Sequence, residues 1–180
     1  MADPEFILLG DALWLDFVNT VRGRGKVVDR LPDAAAYHRW AKATRIGSDA
    51  DATPFQHVRR FRARLIELAE ALHGGKAAPS TVVTSLNTLL DRAPGREQLT
   101  REGGAWRLRF GASAVPEGLV AIAHSVATTL SDAAVEVHEC AADECTLFFA
   151  VPKGALDRRW CNLEPCGRET RVERRRGALR

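Results

Sequence analysis

The chain has 180 residues, 46% of them hydrophobic and 27% charged, with a formal net charge of +3. That length supports one domain with a sizeable core plus a small appendage, and the composition is that of an ordinary globular protein. The most apolar stretch, Leu119 to Leu130, contains His124 and Ser125 and falls short of the roughly 20 residues a membrane span needs, so no membrane association is expected. No targeting segment is visible, which makes the cytoplasm the expected compartment.

Leu13, Trp14, Phe17, Val18 and Val21 recur at helical spacing, so Asp11 to Val21 is predicted to be an amphipathic helix. Asp16, Asn19 and Thr20 lie along its other side. They are candidate contacts for a small-molecule effector, with satisfaction of nearby backbone groups as the plainer role. Arg22 to Lys26 alternates basic residues with glycine and is expected to be a flexible loop; it lacks the phosphate-loop spacing.

A second helix is expected after Asp33 as N-cap, with Tyr37, Trp40 and Ala41 buried and Gly47 ending the region. Thr53, Pro54 and Gln56 mark the start of a third, whose inner face is Val58, Phe61, Leu65, Leu68 and Leu72. Arg59, Arg60, Arg62 and Arg64 crowd its other faces, where solvation is the expected role. A fourth helix runs from about Ser80 to Arg92 with Val83, Leu86, Leu89 and Leu90 inward, before Pro94-Gly95. The period then changes to two. Trp106, Leu108 and Phe110 alternate with arginines, and Gly103-Gly104 turns the chain back toward Gln98 to Arg101, which predicts a β-hairpin with one buried face. Pro116 opens the last long helix, with Leu119, Ile122, Val126 and Leu130 inward. Short extended runs are expected at Val135 to Val137 and Leu147 to Val151.

All four cysteines lie between these runs and the C-terminus. Cys140 and Cys145 are separated by four residues; after fifteen more, Cys161 and Cys166 repeat that spacing. Two short-range pairs of soft thiolates suit one tetrahedral zinc ion per chain, each pair supplying two ligands locally. Two disulfides are the competing arrangement, but cytosolic disulfides are uncommon and no secretory signal precedes the pairs. His138, near the first pair, is an alternative ligand or a neighbour of the site.

From Lys153 to Arg180 there are nine basic and four acidic residues, a balance of +5, which leaves −2 for residues 1 to 152. A zinc ion with four thiolates is itself −2, so the C-terminal part keeps a balance of about +3. The tail after Cys166 has no proline and is predicted to be helical, with Arg168, Arg171 and Arg175 on one face. Together with Arg158, Arg159, Arg174 and Arg176 they are the candidate nucleic-acid contacts, since basic side chains on a zinc knuckle suit phosphate. Neutralisation of the thiolates, or a solvated helix face, would use the same residues.

The run Arg158-Arg159-Trp160-Cys161, followed by Cys166-Gly167-Arg168, resembles the CGNR zinc finger of bacterial proteins described as stress-induced transcription regulators. Cys166 and Gly167 match the signature, whereas Arg168 and Glu169 stand where asparagine and arginine are expected. Contacts belonging to those two positions are therefore not carried over. Leu15 to Thr20 is similar to the opening of the domain that usually precedes this finger, so the resemblance covers nearly the whole chain.

The fold expected is α+β: a mainly helical domain with a β-hairpin over residues 7–136, serving sensing or assembly, and a small four-cysteine zinc finger with an arginine-rich helix over 137–180. The function expected is that of a bacterial transcription regulator binding DNA, with a small-molecule effector or oligomer formation as the role of the first domain. A protein-interaction scaffold with a purely structural zinc, or an RNA-binding protein, are the alternatives. Catalysis is not expected, because four protein thiolates leave zinc no open position.

Overall fold

The computed structural model describes residues 5–23, 26–46, 54–91, 96–102, 105–111, 118–155, 158–162 and 166, the two segments between 96 and 111 by their backbone alone. Within them lie five α-helices and three antiparallel two-stranded sheets.

Helix α1, Leu13–Val18, is shorter than its apolar periodicity predicts. Its C-cap, Asn19, leads directly into strand β1, Val21–Arg22, which pairs with β2, Val28–Asp29. The stretch expected to be a loop, Arg22 to Lys26, thus begins in a paired strand, and its residues 24 and 25 lie outside the described residues. Gly23 sits at φ +117°, and a Cβ there would meet the carbonyl oxygen of Lys26, so only glycine fits this position without strain. Helix α2, Ala34–Thr44, starts at Asp33, whose Oδ1 accepts from the Ala36 backbone N–H at 2.8 Å, as predicted. It stops at Arg45, in the left-handed region, before Gly47 is reached. Helix α3, Phe55–His73, starts one residue later than expected, with Pro54 as N-cap and no side-chain capping bond, and α4, Ser80–Leu90, ends at Asp91 as C-cap. Strands β3, Arg96–Glu102, and β4, Ala105–Gly111, form the predicted hairpin with Leu99 opposite Leu108. The buried face assigned to Trp106, Leu108 and Phe110 lies outside the described side chains. Helix α5 is Gly118–Ser131.

The last sheet pairs β5, Val135–Glu139, with β6, Phe148–Pro152, in the register His138 opposite Phe149. The two extended runs foreseen separately thus make one hairpin leading into the cysteine segment.

The main core is built around α1. Trp14, Leu15 and Phe17 are fully buried there, against Tyr37 and Trp40 of α2, Leu65 and Leu68 of α3 and Ile122 of α5. Phe17 lies 5.1 Å from Trp40 between ring centroids, and Trp40 stacks on Tyr37 at 6.2 Å. Val137 of β5 and Phe148 of β6 join this core, so the last hairpin is packed into the helical body. Two inward assignments are corrected. Val83 is 38% exposed, because Val82 and Leu86 carry the buried stripe of α4 at an equally good spacing of four. Leu130 is 36% exposed, because the buried face of α5 ends at Val126, before the final turn.

Candidate metal centre

On the other face of β6 and the connection before it lies a second, smaller cluster of buried residues: Cys140, Ala142, Leu147, Phe149, Val151 and Cys161. The first cysteine pair lies on the connection between the two strands. Cys145 donates its backbone N–H to the Ala142 carbonyl at 3.0 Å, and Cys140 donates its own to Leu147 at 2.9 Å. The segment carrying Cys161 is laid against it by the Ala141 N–H, which donates to the Arg159 carbonyl at 2.9 Å.

The four cysteine sulfurs lie within 4.8 Å of one another. Cys145 and Cys161 sulfurs are 3.8 Å apart, and Cys161 and Cys166 sulfurs 3.7 Å apart. A zinc–sulfur bond of about 2.3 Å implies edges of about 3.8 Å in a tetrahedron, so the spacing fits a single zinc ion. No pair is a disulfide. The Cys161 N–H points at the Cys140 sulfur at 3.4 Å, the kind of donor that stabilises a ligating thiolate from outside the metal shell.

The thiols by themselves cannot all ionise. A hydrogen bond from the Cys161 thiol, the largest effect, holds Cys145 down to about 5, and the same bond pushes Cys161 far upward. Cys166 is pushed up to about 12 by burial first, then by the charge of Cys145 and Cys140. A divalent cation removes this conflict by neutralising all four sulfurs together. His138 is not part of the cluster: its ring tilts against Phe149 at 6.2 Å and its Nε2 lies 3.4 Å from Glu136 Oε2.

The arginines before Cys161 divide in role. Arg158 is held within the chain: it pairs with Asp11 at 2.6 Å, donates to the Cys161 carbonyl at 3.1 Å and lies 4.8 Å from the Phe149 ring. Arg159 is exposed and lies over Trp160 at 5.8 Å. Arg168, Arg171, Arg174, Arg175 and Arg176, with the helix expected around them, lie outside the described residues.

Asp16, Asn19 and Thr20 all make polar contacts with the chain itself, Asp16 with a residue before α1 and Asn19 and Thr20 from positions just after it. Asn19 is 3% exposed and makes a two-way bond with the backbone of Phe148: its Nδ2 donates to the carbonyl and its Oδ1 accepts from the N–H, each at 2.8 Å. Thr20 donates to the Phe17 carbonyl at 2.6 Å and accepts from Arg62 at 2.9 Å. Asp16 accepts from the Gly10 N–H at 2.8 Å. Gly10 is needed there, because a Cβ would lie 2.7 Å from that of Leu15.

Arg62, expected on the solvated side of α3, is 4% exposed and pairs with Asp29 at 2.6 Å. Its placement is a correction to the reading of that arginine-rich face. The signal for it exists only in combination, because Asp29 lies on strand β2, which has no pattern of its own in the sequence.

A helical α+β body with a zinc finger seated on it is the class that fold and site define. Residues 11–136 match the family model ABATE, described as "Putative stress-induced transcription regulator", and residues 136–177 match the CGNR zinc finger. The chain belongs to the ABATE family and carries one structural zinc in its CGNR finger. The comparison with curated proteins returns no match. Among the described residues no helix is long and apolar enough to cross a membrane.

Proposed function

We propose that the chain is a zinc-dependent transcription regulator that binds DNA through residues 137–180, with residues 7–136 receiving a small-molecule signal or mediating assembly. The observation that supports this most is the finger itself, held to the helical body with Arg159 exposed beside Cys161, in a stretch, Lys153 to Arg180, whose sequence carries a balance of +5. Cys140, Cys145, Cys161 and Cys166 hold the zinc in this reading, and four thiolates leave it no open position for catalysis.

Arg159, Arg168, Arg171, Arg174, Arg175 and Arg176 are the phosphate contacts, and Arg158 serves to fix the knuckle that presents them. Asp16, Asn19 and Thr20 act as a joint through which a signal in the first domain reaches β6, since a ligand could contact them only by opening their internal bonds.

The test is the salt dependence of duplex DNA binding in the zinc-loaded protein. Each phosphate contact contributes about 0.9 to the slope of log affinity against log salt. Replacing Arg171 and Arg175 by glutamine is expected to weaken binding and to lower that slope by roughly two. Unchanged affinity and slope at roughly physiological salt, with competitor DNA present, would refute the reading and favour the scaffold alternative.

A further inference from the structure

The zinc site is not closed equally on all sides. Cys140 is 2% and Cys161 4% exposed, whereas Cys145 and Cys166 are partly open. The opening is a cavity of about 440 Å³ between the β1–β2 hairpin and the cysteine segment. Its walls include Cys145, Cys161 and Cys166 on one side and Arg22, Lys26 and Arg30 on the other, with Cys140 absent from the lining. The hairpin is fixed over this space by the Gly23 N–H, which donates to Thr146 Oγ1 at 2.9 Å.

Three consequences follow from that arrangement. A small oxidant can reach the Cys145 sulfur without unfolding the finger, whereas Cys140 is shielded. Cys161 lies 3.8 Å from Cys145 and is placed to react with it next. The three cationic side chains oppose the negative charge that four thiolates leave around zinc, and would favour the hydroxide released when a peroxide bond breaks.

We propose that Cys145 is an oxidation site for hydroperoxides and that Cys161 resolves it as a disulfide. In the first step the Cys145 thiolate attacks one oxygen of hydrogen peroxide; the S–O bond forms, the O–O bond breaks, and hydroxide leaves. The resulting sulfenic acid is then attacked at sulfur by the Cys161 thiolate; the S–S bond forms, the S–O bond breaks, and a second hydroxide leaves. Two thiolates have lost two electrons, and the peroxide has gained them as two hydroxides. The donor set falls from four thiolates to two, too few to keep the ion, and the finger loses its anchor. This inference rests on the zinc site and is independent of DNA binding.

The experiment treats the zinc-loaded full chain with a tenfold excess of hydrogen peroxide. Zinc release is followed with a colorimetric chelator, and the thiols are alkylated at intervals for peptide mapping. The expected result is loss of about one zinc per chain, with Cys145–Cys161 as the first disulfide and Cys140 recovered alkylated. Reductant plus zinc should restore the starting state. Val28 lines the cavity and is 37% exposed. A V28W variant should therefore narrow the opening and slow zinc release at least fivefold from an equal initial zinc content. A first disulfide lacking Cys145, or zinc retained after an hour, would overturn the proposal in the wild-type protein alone. An unchanged rate in a fully loaded V28W would overturn the role of the cavity.

Discussion

Asn19 shows how one side chain can stand in for a strand. Its amide offers a donor and an acceptor side by side, as a backbone peptide does, and satisfies both polar groups of Phe148. Asn19→Ala would leave that N–H and carbonyl buried without partners, so a loss of about 2–4 kcal/mol is expected in urea unfolding. Asn19→Asp should be at least as damaging, because a carboxylate cannot donate to the carbonyl. Asp16 makes a different prediction. Burial is the largest effect on its carboxyl and raises the pKa from 3.8 to about 6, against the opposing bonds from the Gly10 and Leu9 backbones. The native state therefore binds this proton more tightly than the unfolded chain does. The contribution of Asp16 to stability is greatest below pH 3.8 and is lost as the pH rises to about 6. Compared by denaturation across that range, Asp16→Asn should gain on wild type with rising pH, by no more than about 2 kcal/mol for a carboxyl that solvent still reaches. Among the arginines, Arg159→Gln should lower the salt slope of DNA binding by about 0.9, whereas Arg158→Gln should leave the slope unchanged and reduce stability instead. A drop in slope for Arg158→Gln would show that its internal bonds are given up on binding.

The β5–β6 hairpin is the element that belongs to both parts of the molecule. Val137 and Phe148 face the helical core, while Phe149 and Val151 face the cysteine cluster. Alternation along β6 accordingly serves two cores and none of its inner positions serves solvent. Removing zinc with a chelator should not stop at the finger. Once the cysteine segment is released, β6 loses its hold, and the helical body loses the Phe148 contact and the Asn19 bonds with it. An apparent Tm lower by at least several degrees is expected for the helical signal in circular dichroism, given about 2–4 °C per kcal/mol in a protein of this size. An unaltered Tm in the metal-free chain would mean that the hairpin holds its place unaided. Much of this element was legible beforehand: the two extended runs, their separation and the four cysteines are all plain in the order of residues. Their pairing was not, because an antiparallel register depends on partners that no local pattern names. The same limit explains α1. Its apolar spacing runs on to Val21, but the helix ends at Val18 because residues brought from far along the chain use the polar groups that follow. The same limit applies to Arg62, since nothing in an arginine-rich helix marks which arginine has a partner 33 positions away.

At the scale of the molecule, helical body and finger are joined by bonds spread along their boundary: Asp11 to Arg158, Gly10 to Ala150, Asn19 to Phe148 and Gly23 to Thr146. A fragment ending at residue 136 would keep five helices but lose β6, most of β5 and the apolar cover they give to α1 and α3. It is expected to unfold at lower urea concentration than the full chain and to self-associate in size-exclusion chromatography. A monomeric fragment of equal stability would show that the body is autonomous. These same joins bear on how the protein is made. Helix α1 lies at the centre of the core, yet its following residue is tied to one 129 positions later, and the Trp14 indole donates to Thr129 across 115. On the ribosome the first helix therefore emerges long before these partners exist, and loop closure over such distances is slow. Helices α2 and α3 emerge soon afterwards and can cover Phe17, but the Thr129 partner of Trp14 and the Phe148 partner of Asn19 arrive only late in synthesis. The core is therefore complete only once translation has passed Phe148, and metal capture, which needs Cys161 and Cys166, comes later still, after the body it stabilises has begun to assemble.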